Sequence, residues 1–281
     1  MKQPVQPPVS HLPLERFLFH TVFLDESGGV VEQPEKEAWV FTETAGECIT
    51  LAIVYIPGGT FQMGSLHELG YPDEKPQHLV TVMPFFMGRS PVTQGQWQAV
   101  MHSKPYVRFP NPELPIDNVS YQDGHAFCER LSMITGRMYT LPSEAQWEYA
   151  CRGGGQTTFS TGKTITTDYA NYAGLHTYLD EPQGVYRHMS TQAGTFPPNS
   201  YGLLDMHGNL WEYCADRWHA DYTGAPFDDA PWEQGGEIHF RTARGGSWHE
   251  PPINCRCATR LRVNETERDD LYGFRIALRI Q

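Results

Sequence analysis

The sequence predicts an α+β fold that is rich in loops, with few helices and short strands. Three observations carry that expectation. Gly 26 and Pro 22 in 281 residues amount to about 17%, against a usual combined share of roughly 12%. Hydrophobic residues reach 40% and aromatics 12%, enough for a buried core, and the glycines lie beside tryptophans and apolar runs rather than in polar tracts. Only three segments carry a recognisable helix start. Length alone allows one large domain or two small ones.

The elements follow in order. Residues 1–13 are proline-rich and polar and predict a flexible arm. Alternating Phe17, Phe19 and Val22, with Gly28-Gly29 as a turn, predict a hairpin, and Trp39–Phe41 begin the next strand. Ile49–Ile56 is a stronger strand, closed by Pro57-Gly58-Gly59 and continued by Thr60–Met63. Thr93 opens a helix with Trp97, Val100 and Met101 on one side. Ser120, with Asp123 three residues on, caps a longer helix whose apolar stripe is Phe127, Leu131 and Ile134; Gly136 closes it. Ser143 and Gln146 have capping-box spacing for a third. From about 153 to 247 periodicity weakens to short strands and turns, with long loops at 173–193 and 219–238; such loops are usually functional or locally pinned by ligands. Gly273–Leu278 predict a buried strand.

Lys+Arg 21 against Asp+Glu 33 give a net charge of −12, which repels phosphate backbones and anionic lipid. Neither nucleic acid nor a membrane is an expected partner. The locally basic stretch Arg256–Arg279 reads best as arginines that tie loops together. The first residues, MKQPVQPPVS, contain no apolar run and no segment approaches the roughly 20 apolar residues of a span. The expected compartment is therefore the cytoplasm, with Cys48, Cys128, Cys151, Cys214, Cys255 and Cys257 as reduced, buried thiols.

Seven motifs stand in a fixed order: IPGGTFQMGS (56–65), PVTQGQWQAVM (91–101), VSYQDGHAFCERLS (119–132), RMYTLPSEAQWEYACRGG (137–154), FPPNSYGLLDMHGNLWEYCADRW (196–218), RGGSW (244–248) and GFRIAL (273–278). Together they resemble the formylglycine-generating-enzyme, or sulfatase-modifying-factor, family from about residue 45 to the end. The resemblance implies a C-type lectin-like fold of that family's type, with few short helices and short antiparallel strands. It makes 14–281 one domain, with 14–45 an N-terminal extension.

Family oxidases carry two copper-binding cysteines just after the GGS turn. Counting back from GFR, Pro252 stands at the second of those positions, and Cys257 falls outside the pair. Catalysis is not expected, nor is copper. The iron-dependent branch of the fold uses an additional helical domain for which there is no room, so iron is not expected either; His219-x-Asp221 reads as a solvated pair, and Cys255-x-Cys257 lacks a second pair for zinc. The resemblance does imply calcium. Asp205 and Glu212 would give carboxylates and Gly208 and Leu210 backbone carbonyls, the oxygen donors Ca²⁺ prefers. Asn171 and Tyr172 would belong to a second calcium site.

Residues 244–275 resemble, more narrowly, the variable proteins of diversity-generating retroelements, in which adenine-directed mutagenesis rewrites a C-terminal repeat. RGGSW, Asn254-Cys255-Arg256, Arg260, Arg268 and Gly273-Phe274-Arg275 match the framework. Between them, His249, Pro251, Thr259, Leu261, Arg262, Val263, Asp269, Asp270 and Leu271 are reachable from an AAC codon by changes at adenine; Glu250 and Glu267 are not. The expected function is non-catalytic binding of a protein ligand by Trp248–Glu250, Pro251, Thr259, Leu261, Arg262, Val263 and Asp269, Asp270, Leu271 and Tyr272. The alternative is an oxidoreductase of the formylglycine-generating type acting on a cysteine or thiol substrate.

Overall fold

The structure, a computed structural model, describes residues 12–45, 49–66, 70–104 and 106–280. The larger sheet has six strands: β1 (Glu15–His20), β4 (Glu35–Ala45), β5 (Ile49–Ile56), β8 (Phe85–Gly88), β14 (Ala277–Arg279) and β9 (Tyr139–Thr140), in that spatial order and antiparallel throughout. A second sheet orders β12 (Arg260–Asn264), β11 (Glu237–Arg244), β10 (Trp211–Trp218) and β13 (Tyr272–Gly273); only β10 and β13 run parallel. Two hairpins complete it, β2 (Phe23–Leu24) with β3 (Val30–Glu32), and β6 (Gly59–Met63) with β7 (His78–Val82).

β5 explains the core. Ile53 and Tyr55 enter one hydrophobic cluster, with Phe86, Trp97, Phe127, Trp211 and Phe274; Val54 and Ile56 enter another, with Phe85, Met87, Trp147 and Cys151. A strand buried on both faces needs apolar residues at consecutive positions, and ITLAIVYI supplies them. β10 hides a similar arrangement behind polar residues. Trp211 and Tyr213 join the first cluster, while Glu212, Cys214 and Asp216 are buried on the other side. Trp211, Tyr213 and Ala215 alternate with Glu212, Cys214 and Asp216, a pattern that reads as one buried and one solvated face, so the charges conceal the burial of the second.

The three helices start where the capping residues stand. α1 (Gln94–Met101), α2 (Tyr121–Thr135) and α3 (Glu144–Arg152) each carry a complete capping box, from Thr93 and Gln96, Ser120 and Asp123, and Ser143 and Gln146. In each, a hydroxyl accepts an orphan N–H of the first turn while the third side chain bonds the cap's own N–H. Gly136 and Gly153 close α2 and α3 in the left-handed conformation.

Four expectations need correction. Ile134 is 47% exposed; the inward stripe of α2 runs through Gly124, Phe127, Cys128 and Leu131 instead. β1 pairs with β4, and the turn at Gly28-Gly29 closes only the small β2–β3 hairpin. Gly273–Leu278 is not one strand: Phe274 and Ile276 leave the sheet to accept from the N–H groups of Val92 and Gly88. Of the 1–13 arm, residues 1–11 lie outside the described residues, and Leu12 is already packed in the core. Cys48 also lies outside the described residues. The other five thiols are free and buried, as the sequence reading held.

Candidate ligand-binding face

The C-terminal stretch is built on a buried frame of ion pairs. Arg244, at the end of β11, donates to both the Thr259 carbonyl and Glu148. Arg260 holds Glu144 through two bonds of 2.6 and 3.0 Å, and Arg256 holds Glu74 at 2.9 and 2.6 Å. Arg275 holds Glu212 at 2.5 and 2.6 Å. None of these side chains is more than slightly exposed. The planar guanidinium makes such two-point pairs better than an ammonium can, and the arginines do tie loops together as expected. Gly246 shows why this turn needs glycine: it has φ +79°, and a Cβ there would stand 2.5 Å from the Cys255 sulfur.

On this frame many of the intervening residues reach the surface, although Leu261, Leu271 and Tyr272 also pack against the first core cluster. His249, Arg262 and Asp269 are exposed; Glu250, Pro251, Leu261, Asp270, Leu271 and Tyr272 are half-buried. Three expected binding residues are not available: Trp248 (7% exposed), Thr259 (1%) and Val263 (1%) are buried. Each has a structural task. The Trp248 indole donates to the Asp270 carbonyl at 3.2 Å and so joins the 248–250 segment to 269–272. Thr259 donates its hydroxyl to the Ile253 carbonyl, and Val263 packs in the first core cluster. Arg262 pairs with Glu237 and lies over the Phe240 ring.

Several residues of the face were not found from sequence. Tyr186 and His188 stack with centroids 3.8 Å apart, and the Tyr186 hydroxyl bonds His249 Nδ1. They come from the 173–193 loop, whose Ala173 N–H donates to the Glu250 carbonyl. The loop is thus held by the protein's own C-terminal stretch, a contact that nothing in its sequence announces. Arg108 pairs with Asp270, and Asn118 donates its N–H to the Asp269 carbonyl. Beneath them Asp117 is buried, and its Oδ1 has no hydrogen-bond partner among the described residues. Burial, helped by Asp270 and Asp269, pushes its carboxyl up to about 7.

Cys255 is buried, its sulfur lies against the Pro251 carbonyl, and burial raises its thiol above the usual range. With Pro252 at the second position and no cysteine between Gly245 and Asn254 to partner Cys255, the segment does not fit a copper-binding thiolate pair. Glu212 does not fit a calcium ligand: both its oxygens take Arg275, and one also takes the Trp147 indole N–H at 2.8 Å. A guanidinium already occupies the place a cation would need. Asp205 fits better. Its Oδ1 is buried without a partner among the described residues, and burial pushes its carboxyl up to about 7. Asn171 likewise keeps an unpartnered buried Oδ1, whereas the Tyr172 hydroxyl is used on the Ile165 carbonyl. His219 stacks on Trp232 at 3.5 Å and Asp221 caps the Thr223 N–H, so that pair is structural.

The fold, the GGS turn and the ordered motifs define a class, and comparison agrees. The family model for the sulfatase-modifying factor enzyme 1-like domain matches residues 41–280. The chain belongs to this FGE-sulfatase family. It is 29% identical over 259 residues to the serine/threonine-protein kinase pkn1 of Chlamydia pneumoniae, covering 83% of this chain but 38% of the relative. The chain thus spans about two-fifths of that protein's length. It is 27% identical to the formylglycine-generating enzyme of Thermomonospora curvata, with 82% and 94% of the two chains covered. Among solved structures, Treponema denticola variable protein 1 superposes with a TM-score of 0.73 at 25% identity, over 86% of this chain and 99% of that one. The C-type lectin-like scaffold is common to both. No helix among the described residues is long and apolar enough to cross a membrane.

Proposed function

We propose that this chain is a non-catalytic binding protein. Its face would be His249, Glu250, Pro251, Leu261, Arg262, Asp269, Asp270, Leu271 and Tyr272, and its ligand a protein. One observation carries the reading. The stretch 244–275 divides largely by burial: Arg244–Ser247, Cys255–Cys257, Arg260 and Gly273–Arg275 are all buried, whereas most of the residues between them are exposed or half-buried, the exceptions being Trp248, Pro252, Ala258, Thr259 and Val263. A rigid frame with freely chosen side chains between its fixed points suits recognition. The similarity to a variable protein supports the same reading, and the proposal extends to diversification of this stretch by a retroelement. The oxidoreductase alternative has the family in its favour but no thiol pair in the segment that would carry copper.

Two measurements test it. Substituting His249→Ser, Arg262→Thr and Asp270→Ser together is expected to move the melting temperature by no more than about 3–6 °C, because surface changes usually cost within about 0.5 kcal/mol each. A drop several times larger would make the face structural and overturn the reading. In the genome, a second copy of the DNA for residues 244–275, differing at adenines and beside a reverse-transcriptase gene, is expected; a complete genome without it removes the diversification.

Calcium enters this proposal as a structural ion on Asp205, with Glu212 excluded. A raised carboxyl is protonated in the folded chain and ionised in the unfolded one between about pH 4 and 7. Its contribution to stability is therefore present below about 4 and lost as pH rises through about 7. Ca²⁺ has to displace that proton. Adding it is expected to raise the melting temperature more at pH 7.5 than at pH 5.5. Equal shifts, or none, would remove calcium from the proposal.

A further inference from the structure

A second cluster of reactive groups lies in the core, made of residues other than those of the binding face and other than the positions that carry copper in family oxidases. Cys151 stands near the end of α3. Cys257 follows the short 3-10 turn at Pro252–Cys255. His207 comes from the loop before β10. The two sulfurs are 3.6 Å apart, and His207 Nε2 is 3.9 Å from the Cys151 sulfur. One donor atom from each of the three lies within 4.8 Å of the others, and all three residues are buried.

These spacings suit a common metal. With metal–sulfur bonds of about 2.3 Å and metal–nitrogen bonds of about 2.0–2.1 Å at tetrahedral angles, donor atoms stand roughly 3.5–3.8 Å apart. The imidazole is also prepared. Its Nδ1 lies 2.8 Å from the Cys255 carbonyl, which can only accept, so the proton sits on Nδ1 and the lone pair on Nε2. Metal-binding histidines hold their second nitrogen in this way. Nε2 now accepts from the Ser160 N–H at 2.9 Å and faces its hydroxyl at 2.8 Å. Burial keeps the ring neutral, with its pKa down to about 4. Burial should raise the Cys257 thiol, but the proton donated by Cys151 and the nearby Arg152 outweigh it and hold Cys257 below its usual range. Burial and the neighbouring Cys257 push the Cys151 thiol well above its usual range, and Arg244 and Arg152 oppose this only in part, so Cys151 loses its proton only as the metal binds.

We propose that Cys151, Cys257 and His207 form a site for a thiophilic closed-shell cation, Zn²⁺ or Cu⁺, held by two thiolates and the His207 Nε2. Binding releases the two thiol protons, and the Ser160 N–H gives up its place on Nε2. Soft thiolate and imidazole donors select these ions over calcium or magnesium. Three donors alone suit Cu⁺. Zinc takes a fourth; a cavity of about 20 Å³ on the imidazole side, lined in part by Ser160, Met206 and His207 but by neither cysteine, has room for one water. The site would fasten α3 to the C-terminal stretch from inside, next to the arginine frame.

The test uses the whole chain, fully reduced, dialysed against Zn²⁺ and in a separate anaerobic arm against Cu⁺, with bound metal counted by elemental analysis. One ion per chain in at least one arm, with a thiolate-to-metal charge-transfer band, is expected; which arm fills identifies the ion. His207→Asn places an amide where Nδ1 was, so the bond to the Cys255 carbonyl can persist while the Nε2 donor is lost. It and Cys257→Ser are expected to weaken binding at least tenfold at equal folded fraction by circular dichroism. Cys214→Ser, a buried thiol outside the trio, is expected to keep the metal. Failure of both ions to bind stoichiometrically overturns the proposal. So does metal retained in both His207→Asn and Cys257→Ser, or metal lost equally in Cys214→Ser.

Discussion

Replacing Glu212 with alanine is expected to lower the melting temperature by about 10 °C, and to do so equally with calcium or with a chelator present. The carboxylate is 1% exposed and takes two bonds from Arg275, itself fully buried, and one from the Trp147 indole. Removing it strands a guanidinium in the core, and breaking a buried pair from one side costs about 3–5 kcal/mol. In a chain of this size each kcal/mol is worth roughly 2–4 °C. The intact pair need not be stabilising in itself, since a buried pair and a well-packed apolar replacement are often close in free energy. Glu212→Leu with Arg275→Met is therefore expected to recover a large part of the loss. The double variant still forfeits the Arg275 bonds to the Leu204 and Gly88 carbonyls. A loss that appears only when calcium is present would return Glu212 to the metal ligands. Thermal melts of the three proteins, with and without chelator, decide between the two.

This residue shows what sequence can and cannot convey. The motif around Glu212 identifies the family, and the resemblance assigned the carboxylate a calcium. The competing partner lies 63 residues away in the GFR motif, and no local pattern couples the two. The helices were legible for the opposite reason: a capping box is closed within four residues, so Thr93, Ser120 and Ser143 announce it without tertiary context. β5 was legible because both its faces are apolar. β10 was not, because half of its inward side chains are Glu212, Cys214 and Asp216, and their partners are distant.

The candidate face follows the same division. Turn residues such as Gly245-Gly246 and framework arginines marked where the stretch begins and ends. They did not say which intervening side chains face out. Trp248, Thr259 and Val263 face in because each meets a specific partner: a carbonyl at Asp270, a carbonyl at Ile253 and the first core cluster. Tyr186, His188 and Asp117 reach the face or its floor from loops that carry no motif, and no periodicity could have placed them there. The thiol pair was missed for a related reason. Cys151 and Cys257 are separated by 106 residues, and each alone reads as a small buried hydrophobe.

The largest loss of stability is expected at Glu148. One turn below Glu144 on α3, it is fully buried and satisfies three separate parts of the chain. Its Oε1 accepts from Arg152 at 2.9 and 2.7 Å and from the Gly64 N–H at 3.0 Å; its Oε2 accepts from Arg244. Glu148→Ala leaves two guanidinium groups and one amide without that acceptor. Glu144 cannot take over: Arg260 and the Tyr222 hydroxyl already bond it, and Arg244 reaches it only at 3.5 Å. The cost should exceed the roughly 3–5 kcal/mol of a single broken pair, which approaches the whole stability of a typical domain at about 5–15 kcal/mol. Glu148→Gln keeps the shape and one acceptor oxygen, so it should fall between alanine and wild type. Arg244 leads directly into the GGS turn, so the loss should also loosen the frame under His249 and Asp270. Amide hydrogen exchange across 244–275 in Glu148→Gln is expected to rise, while the same measurement in His249→Ser stays at the wild-type level. Unchanged exchange in Glu148→Gln would mean that the frame does not set the rigidity of the face.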